Sequence, residues 1–156
     1  MAVNTQDRTP RHQPPLPARP VLPDLAAARR RGPTHAVDAA WQALHLRWQW
    51  HHETHRARPF PALLPLWEAA AAQPRLRRLY PFTSHYTLRF SSTTTFPWTP
   101  QAGLIEPLHN GRFTVRSCHP SAVVGEVGNA EDAVALLLDL LPADSDPVVT
   151  SGQEDA

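Results

Sequence analysis

The chain has no lysine, one cysteine and only six glycines among its 156 residues, and each shortage closes off chemistry. Without lysine there is no Schiff-base nucleophile and no P-loop cation. Six glycines leave no GxGxxG and no GxxxxGK[ST] phosphate cradle. Cys118 alone forms neither an intramolecular disulfide nor a cysteine-based zinc site, which fits a reducing compartment. No apolar run of signal-peptide length opens the chain, and Arg29 to Arg31 are followed by the polar GPTHAVDAAW instead of an export segment. The longest apolar run, AVALLLDLLP, is broken by Asp139 and is far too short to span a bilayer. A soluble cytoplasmic protein is expected.

Proline and arginine are abundant instead. Seven of the 18 prolines fall between Pro10 and Pro33, among arginines and almost no aromatic side chains. Such a segment buries too little surface to offset its ordering entropy. Residues 1–33 therefore read as a disordered, partly polyproline-II arm. Residues 142–156 read as a disordered acidic tail, leaving a single domain over 34–141, long enough for one core. Charge is segregated: residues 1–89 hold 13 Arg against 5 acids, residues 90–156 hold 2 against 9. That asymmetry is read as solvated tails or as a surface for an acidic partner.

From Val37, apolar positions Trp41, Leu44 and Trp48 recur at helical spacing, predicting a helix from about Thr34 to His55 that Arg58-Pro59-Phe60-Pro61 interrupts. A second helix is predicted from Leu64 to Gln73, with Pro65 in its first turn and Pro74 ending it. The period then changes to two. Over Ser84 to Ser91, Tyr86, Leu88 and Phe90 alternate with His85, Thr87, Arg89 and Ser91, as in a strand with its rings turned inward. GLIEPLHNGRFTVRS reads as a hairpin turning at Asn110-Gly111, a further strand covers Ala122 to Val127, and Asn129 caps a last helix with Ala133, Leu136, Leu137 and Leu140 inward. The expected fold is α+β: a small antiparallel sheet of three to four strands with helices packed on one face, in the order α-α-β-β-β-(β)-α.

Several residues invite chemistry. His51-His52-Glu53-Thr54-His55 superficially suggests a zinc helix, but the HExxH pattern would need a histidine at Arg56. His51 and His55 have ligand spacing, with His45 or His119 as a third, yet histidines also complement the negative end of a helix. No metal and no cofactor is expected. Cys118 and His119 are strand neighbours pointing to opposite faces, which disfavours a dyad. If the hairpin turns on two residues, Glu106 pairs with Val115 and shares the apolar face of Leu104, Leu108 and Phe113. It is then a general acid or base with a shifted pKa, unless a bulge at Pro107 turns it to water. The strand PFTSHYTLRFSSTTT carries either a solvated polar face or a recognition face. In the second case His85 moves the proton, Arg89 grips a carboxylate or phosphate in a forked manner, and Thr87, Ser91 and Thr93 bind substrate beside it.

The block PRLRRLYPFTSHYTLRFSSTTTFPWTP, followed by EPLHNGRFTV and NAEDAVALLLDLLP, resembles a family of small actinobacterial proteins of unknown function labelled natural product biosynthesis proteins, over about the last two thirds of the chain. The resemblance brings no catalytic residues. It implies a place in secondary metabolism, so the expected partner is a natural-product intermediate, a precursor peptide or an enzyme encoded in the same gene cluster. Two roles follow. One is a cofactor-independent accessory or tailoring protein in which His85 or Glu106 serves as acid or base and Arg89 anchors a peptide-like substrate. The other is a non-catalytic module that presents the precursor peptide or a partner enzyme on a sheet face or edge. Nucleic acid ranks last as a partner, for want of a base-stacking motif beside the arginines.

Overall fold

The computed structural model describes residues 15–55 and 63–143. The outer part of the proline-rich arm, the Arg58–Pro61 helix break and nearly all of the acidic tail lie outside them. The elements run α1 (Leu25–Arg31), α2 (Pro33–Thr54), α3 (Leu63–Ala71), α4 (Pro74–Arg77), β1 (Tyr80–Ser84), β2 (Thr87–Ser91), β3 (Pro100–Pro107), β4 (Phe113–Cys118), β5 (Ser121–Val127) and α5 (Ala130–Leu140). The fold is α+β, and its sheet has five strands in the order β1-β2-β3-β4-β5, all antiparallel.

The fifth strand arises where a single strand was expected. His85 and Tyr86 both take positive φ, 49° and 66°, and make a tight two-residue turn between β1 and β2, with Ser84 paired to Thr87. Turns of this hand usually advertise themselves through Asn-Gly or Asp-Gly, and His-Tyr gives no such signal. Tyr86 is consequently not inward: it is 49% exposed, and its ring lies 6.4 Å from that of Trp48 on α2. Leu88 and Phe90 do face the core.

The arm also ends earlier than proline content implies. Leu25–Arg31 are leucine, alanine and arginine, all strong helix formers. Asp24 caps them by accepting from the Ala27 N–H at 3.0 Å, and three arginines lie in the last turn, where the helix dipole favours cations. Arg29 then donates to the Thr94 carbonyl at 3.1 Å and to the Tyr80 hydroxyl at 3.2 Å, tying α1 to the sheet.

The helices gather on one face. Val37, Trp41, Leu44 and Trp48 of α2, Leu66 and Trp67 of α3, and Ala133, Val134 and Leu137 of α5 share a single apolar cluster with Leu88, Phe90, Ile105, Phe113 and Val115. Trp41 meets Trp67 edge-on at 5.7 Å and Phe90 at 5.8 Å, and its indole N–H donates to the Leu79 carbonyl at 3.0 Å. Helix α5 begins at Asn129, whose side chain accepts from the Asp132 N–H at 2.8 Å. It lies so close to the sheet that a Cβ on Gly103 would meet Leu140 Cδ1 at 3.3 Å and collide with the Arg116 carbonyl oxygen. Helix α3 stops at Ala71, ahead of Pro74 as expected, and Pro74 then opens the short α4, a position where its missing N–H costs nothing.

The β3–β4 hairpin encloses one residue more than a two-residue loop would. Leu108 N–H donates to the Arg112 carbonyl at 2.8 Å, enclosing His109, Asn110 and Gly111, the last at φ 83°. Glycine there avoids the steric cost of positive φ. The register becomes Ile105 with Val115 and Glu106 with Thr114. Glu106 therefore lies on the opposite face from the apolar cluster, and the inward carboxylate is corrected.

Candidate functional site

The face away from the helices is built by these registers. Reading across the strands, Phe82 pairs with Arg89, Arg89 with Leu104, Leu104 with Arg116 and Arg116 with Val123. Paired residues share a face, so one row of the sheet presents an aromatic ring, a guanidinium, a leucine, a second guanidinium and a valine. Leu104 is only 9% exposed. The two arginines sit two strands apart, about 9–10 Å between backbones at the usual strand spacing. A bulge displaces β3 at Ala102–Gly103, beside Arg89, where the partner of Phe90 jumps to Gln101. Bulges of this kind bend a strand and re-aim its side chains.

Thr87 orients Arg89. Its hydroxyl donates back to the Ser84 carbonyl at the turn and accepts from Arg89 Nε at 3.2 Å. Among the described residues neither Arg89 nor Arg116 has a carboxylate within ion-pairing distance; the ion pairs found there are Arg77–Asp38 and Arg112–Glu126, the latter at 2.8 Å. Glu106 belongs to the same face, two residues along β3 from Leu104 and so diagonal to both arginines.

Ser91 and Thr93, expected to bind substrate, take part in the hydrogen bonds of the 92–99 loop. Ser91 is buried, and its hydroxyl accepts from the Thr93 N–H at 3.0 Å and the Thr99 N–H at 3.1 Å. Thr93 Oγ1 accepts from the Thr99 N–H at 3.2 Å and donates to the Pro97 carbonyl, also at 3.2 Å. These bonds fold the 92–99 loop back so that Trp98 stacks on Phe82 at 4.7 Å and on Tyr80 at 5.5 Å. The stack forms an aromatic shoulder at the β1 end of the arginine row.

His85 stands exposed in the turn, its Nδ1 3.2 Å from the Ser84 hydroxyl. Four residues of strand separate it from Arg89, about 13 Å of backbone. The structure thus brings together Arg89, Thr87 and Glu106 and holds His85 at the margin. Sequence reasoning missed Arg116, Leu104, Phe82 and Trp98. Their membership follows only from cross-strand register, which one misread turn on each hairpin had displaced.

The histidine-rich end of α2 does not collect ligands. His51 and His55 rings are 5.5 Å apart, and His55 Nδ1 lies 2.9 Å from Thr54 Oγ1 and 3.1 Å from the His51 carbonyl. Among the described residues no group of three His, Cys, Asp or Glu side chains is placed to hold a metal ion, and no helix is long and apolar enough to cross a membrane. Neither a curated protein nor a solved structure matches the chain. Residues 35–152, which include every strand and the helices α3, α4 and α5, match a family of unknown function, DUF6193, and the chain belongs to that family.

Proposed function

We propose that the protein is an accessory binding module of natural-product biosynthesis that holds an acidic, extended peptide segment against its outer sheet face. The observation carrying this reading is the row Phe82–Arg89–Leu104–Arg116, with two guanidiniums flanking an apolar step and no carboxylate paired to either among the described residues. A guanidinium binds a carboxylate through two parallel N–H donors, and such charge-assisted bonds are the strong ones. Their spacing fits a particular ligand. In a polyproline-II chain, residues three apart point the same way and lie about 9.3 Å from one another, close to the separation of two strands. The segment bound is one with acids at positions i and i+3, whose side chains both face the sheet.

The biological setting rests on the likeness of residues 74–100 to proteins of natural-product biosynthesis, and the bound segment is that of a precursor peptide or of a partner enzyme in a cytoplasmic setting. Acid–base chemistry, the other form of this role, requires His85 and Glu106 to converge on one substrate. His85 at the turn and Glu106 on the neighbouring strand's open face give that form less support. Isothermal titration with a short proline-rich peptide carrying Glu at i and i+3 tests the reading. Binding that falls at least about tenfold when Arg89 and Arg116 are both changed to Gln supports it, each such bond contributing roughly 1.5–3 kcal/mol. Equal binding by a peptide with Gln in place of Glu overturns it.

A further inference from the structure

A second cationic site lies on the other side of the molecule from this sheet face, where the inner part of the arm crosses α2. The indole N–H of Trp50 donates to the Pro17 carbonyl at 3.1 Å, and the guanidinium of Arg19 sits 5.2 Å over the Trp50 ring. Residues 15–20 are neither helix nor strand, and α2 uses the half-buried Trp50 to hold this proline-rich strap by a carbonyl hydrogen bond and a stacked cation. Between strap and helix remains a pocket of about 340 Å³ lined by Arg19, Pro20, Leu22, Arg47, Trp50 and His51. Three of the six lining residues are basic and none is acidic. Neither arginine is in an ion pair among the described residues.

The positive charge at that point is that of Arg19 from the strap and Arg47 from the helix. Burial lowers the pKa of His51, and the neighbouring charges of His55, Arg47 and Arg19 lower it further, so its imidazole is held in the neutral form near pH 7. The pocket borders the last turn of α2, where the negative end of the helix opposes an anion. The carbonyls of Trp50 and His51 there are engaged by the Thr54 hydroxyl at 2.9 and 3.2 Å, and that of His51 also by the His55 N–H at 3.0 Å, so the two arginines act against a terminus whose carbonyls are already hydrogen-bonded. The remaining walls, Pro20, Leu22 and the Trp50 ring, are apolar. A volume of this size is at the lower end of small-molecule sites.

We propose that this pocket binds a small organic anion, a carboxylate or phosphate monoester with a planar apolar body, its charge between Arg19 and Arg47 beside His51 and its ring against Trp50. Three of the lining residues, Arg19, Pro20 and Leu22, belong to the strap, so the bound anion also fastens residues 19–22 to α2.

The test follows the Trp50 indole N–H resonance of the full chain, assigned with a Trp50→Phe variant, during titration with benzoate, phenyl phosphate and neutral benzyl alcohol. Saturable shifts with at least one anion and none with the alcohol are expected. Arg47→Gln and Arg19→Gln should each weaken that binding by about tenfold, the scale of one charge-assisted contact, while the Arg89→Gln, Arg116→Gln double variant leaves it unchanged. Arg47 is exposed, and its loss leaves the core intact. Equal response to the alcohol, indifference to both pocket variants, or no saturation with either anion up to about 10 mM would overturn the proposal. The outer sheet face stands or falls separately, through the double variant and the diacid peptide.

Discussion

The two faces of the sheet are made from the same strands and differ in almost everything else. On the inner face Phe90, Ile105 and Val115 are fully buried and meet three helices. On the outer face the residues next to them in sequence, Arg89, Glu106 and Arg116, are only partly covered and contribute charge. Alternation of side chains makes this possible: each strand donates one residue to the core and the next to the outer face, so rigidity on one side becomes geometric precision on the other. The spacing of the two guanidiniums is set by backbone hydrogen bonds, not by side-chain contacts with each other.

Substitutions that exchange the properties of the two faces sharpen the contrast. The largest effect is expected from Phe90→Ala, which empties a site beneath Trp41; urea unfolding should show a loss of about 3–5 kcal/mol. An effect below about 1 kcal/mol would mean that Phe90 is not in the core. Next is Ser91→Ala. Its hydroxyl accepts two partly buried backbone N–H groups, and leaving them unsatisfied should cost about 1–3 kcal/mol and loosen Trp98 from Phe82. Binding loss with unchanged thermal stability would instead restore Ser91 as a ligand group.

The smallest effect concerns pH. Because His51 titrates below its usual range in the fold, the unfolded chain binds more protons as pH falls through about 6.5. Stability should therefore decline below that pH, down to the folded-state pKa, and a His51→Gln variant should show a shallower decline when both are followed by thermal melts. An identical slope in the two proteins would place the dependence elsewhere.

How far the sequence revealed this design varies with the kind of signal. Helical periodicity around Trp41 and Trp48, the Asn129 cap and the inward Leu88 and Phe90 were legible because burial and capping are local patterns. The His85–Tyr86 turn was not, since no glycine or asparagine marks its positive φ. The extra residue in the Asn110–Gly111 loop was equally hidden: Asn-Gly announces a turn without stating its length, and one residue of slip moves Glu106 to the other face. Arg89 was identified from its own strand, and its counterpart Arg116 only through Leu104 between them. Side-chain character is written locally, whereas the company a side chain keeps depends on register.

If Arg89, Leu104 and Arg116 act as one surface, backbone amide mapping by NMR with a proline-rich peptide carrying Glu at i and i+3 should show shifts centred on residues 82, 89, 104 and 116 that vanish in the Arg89→Gln, Arg116→Gln protein. Shifts centred on the His85 turn or on the β5 edge, or a map unchanged in that double variant, would contradict it.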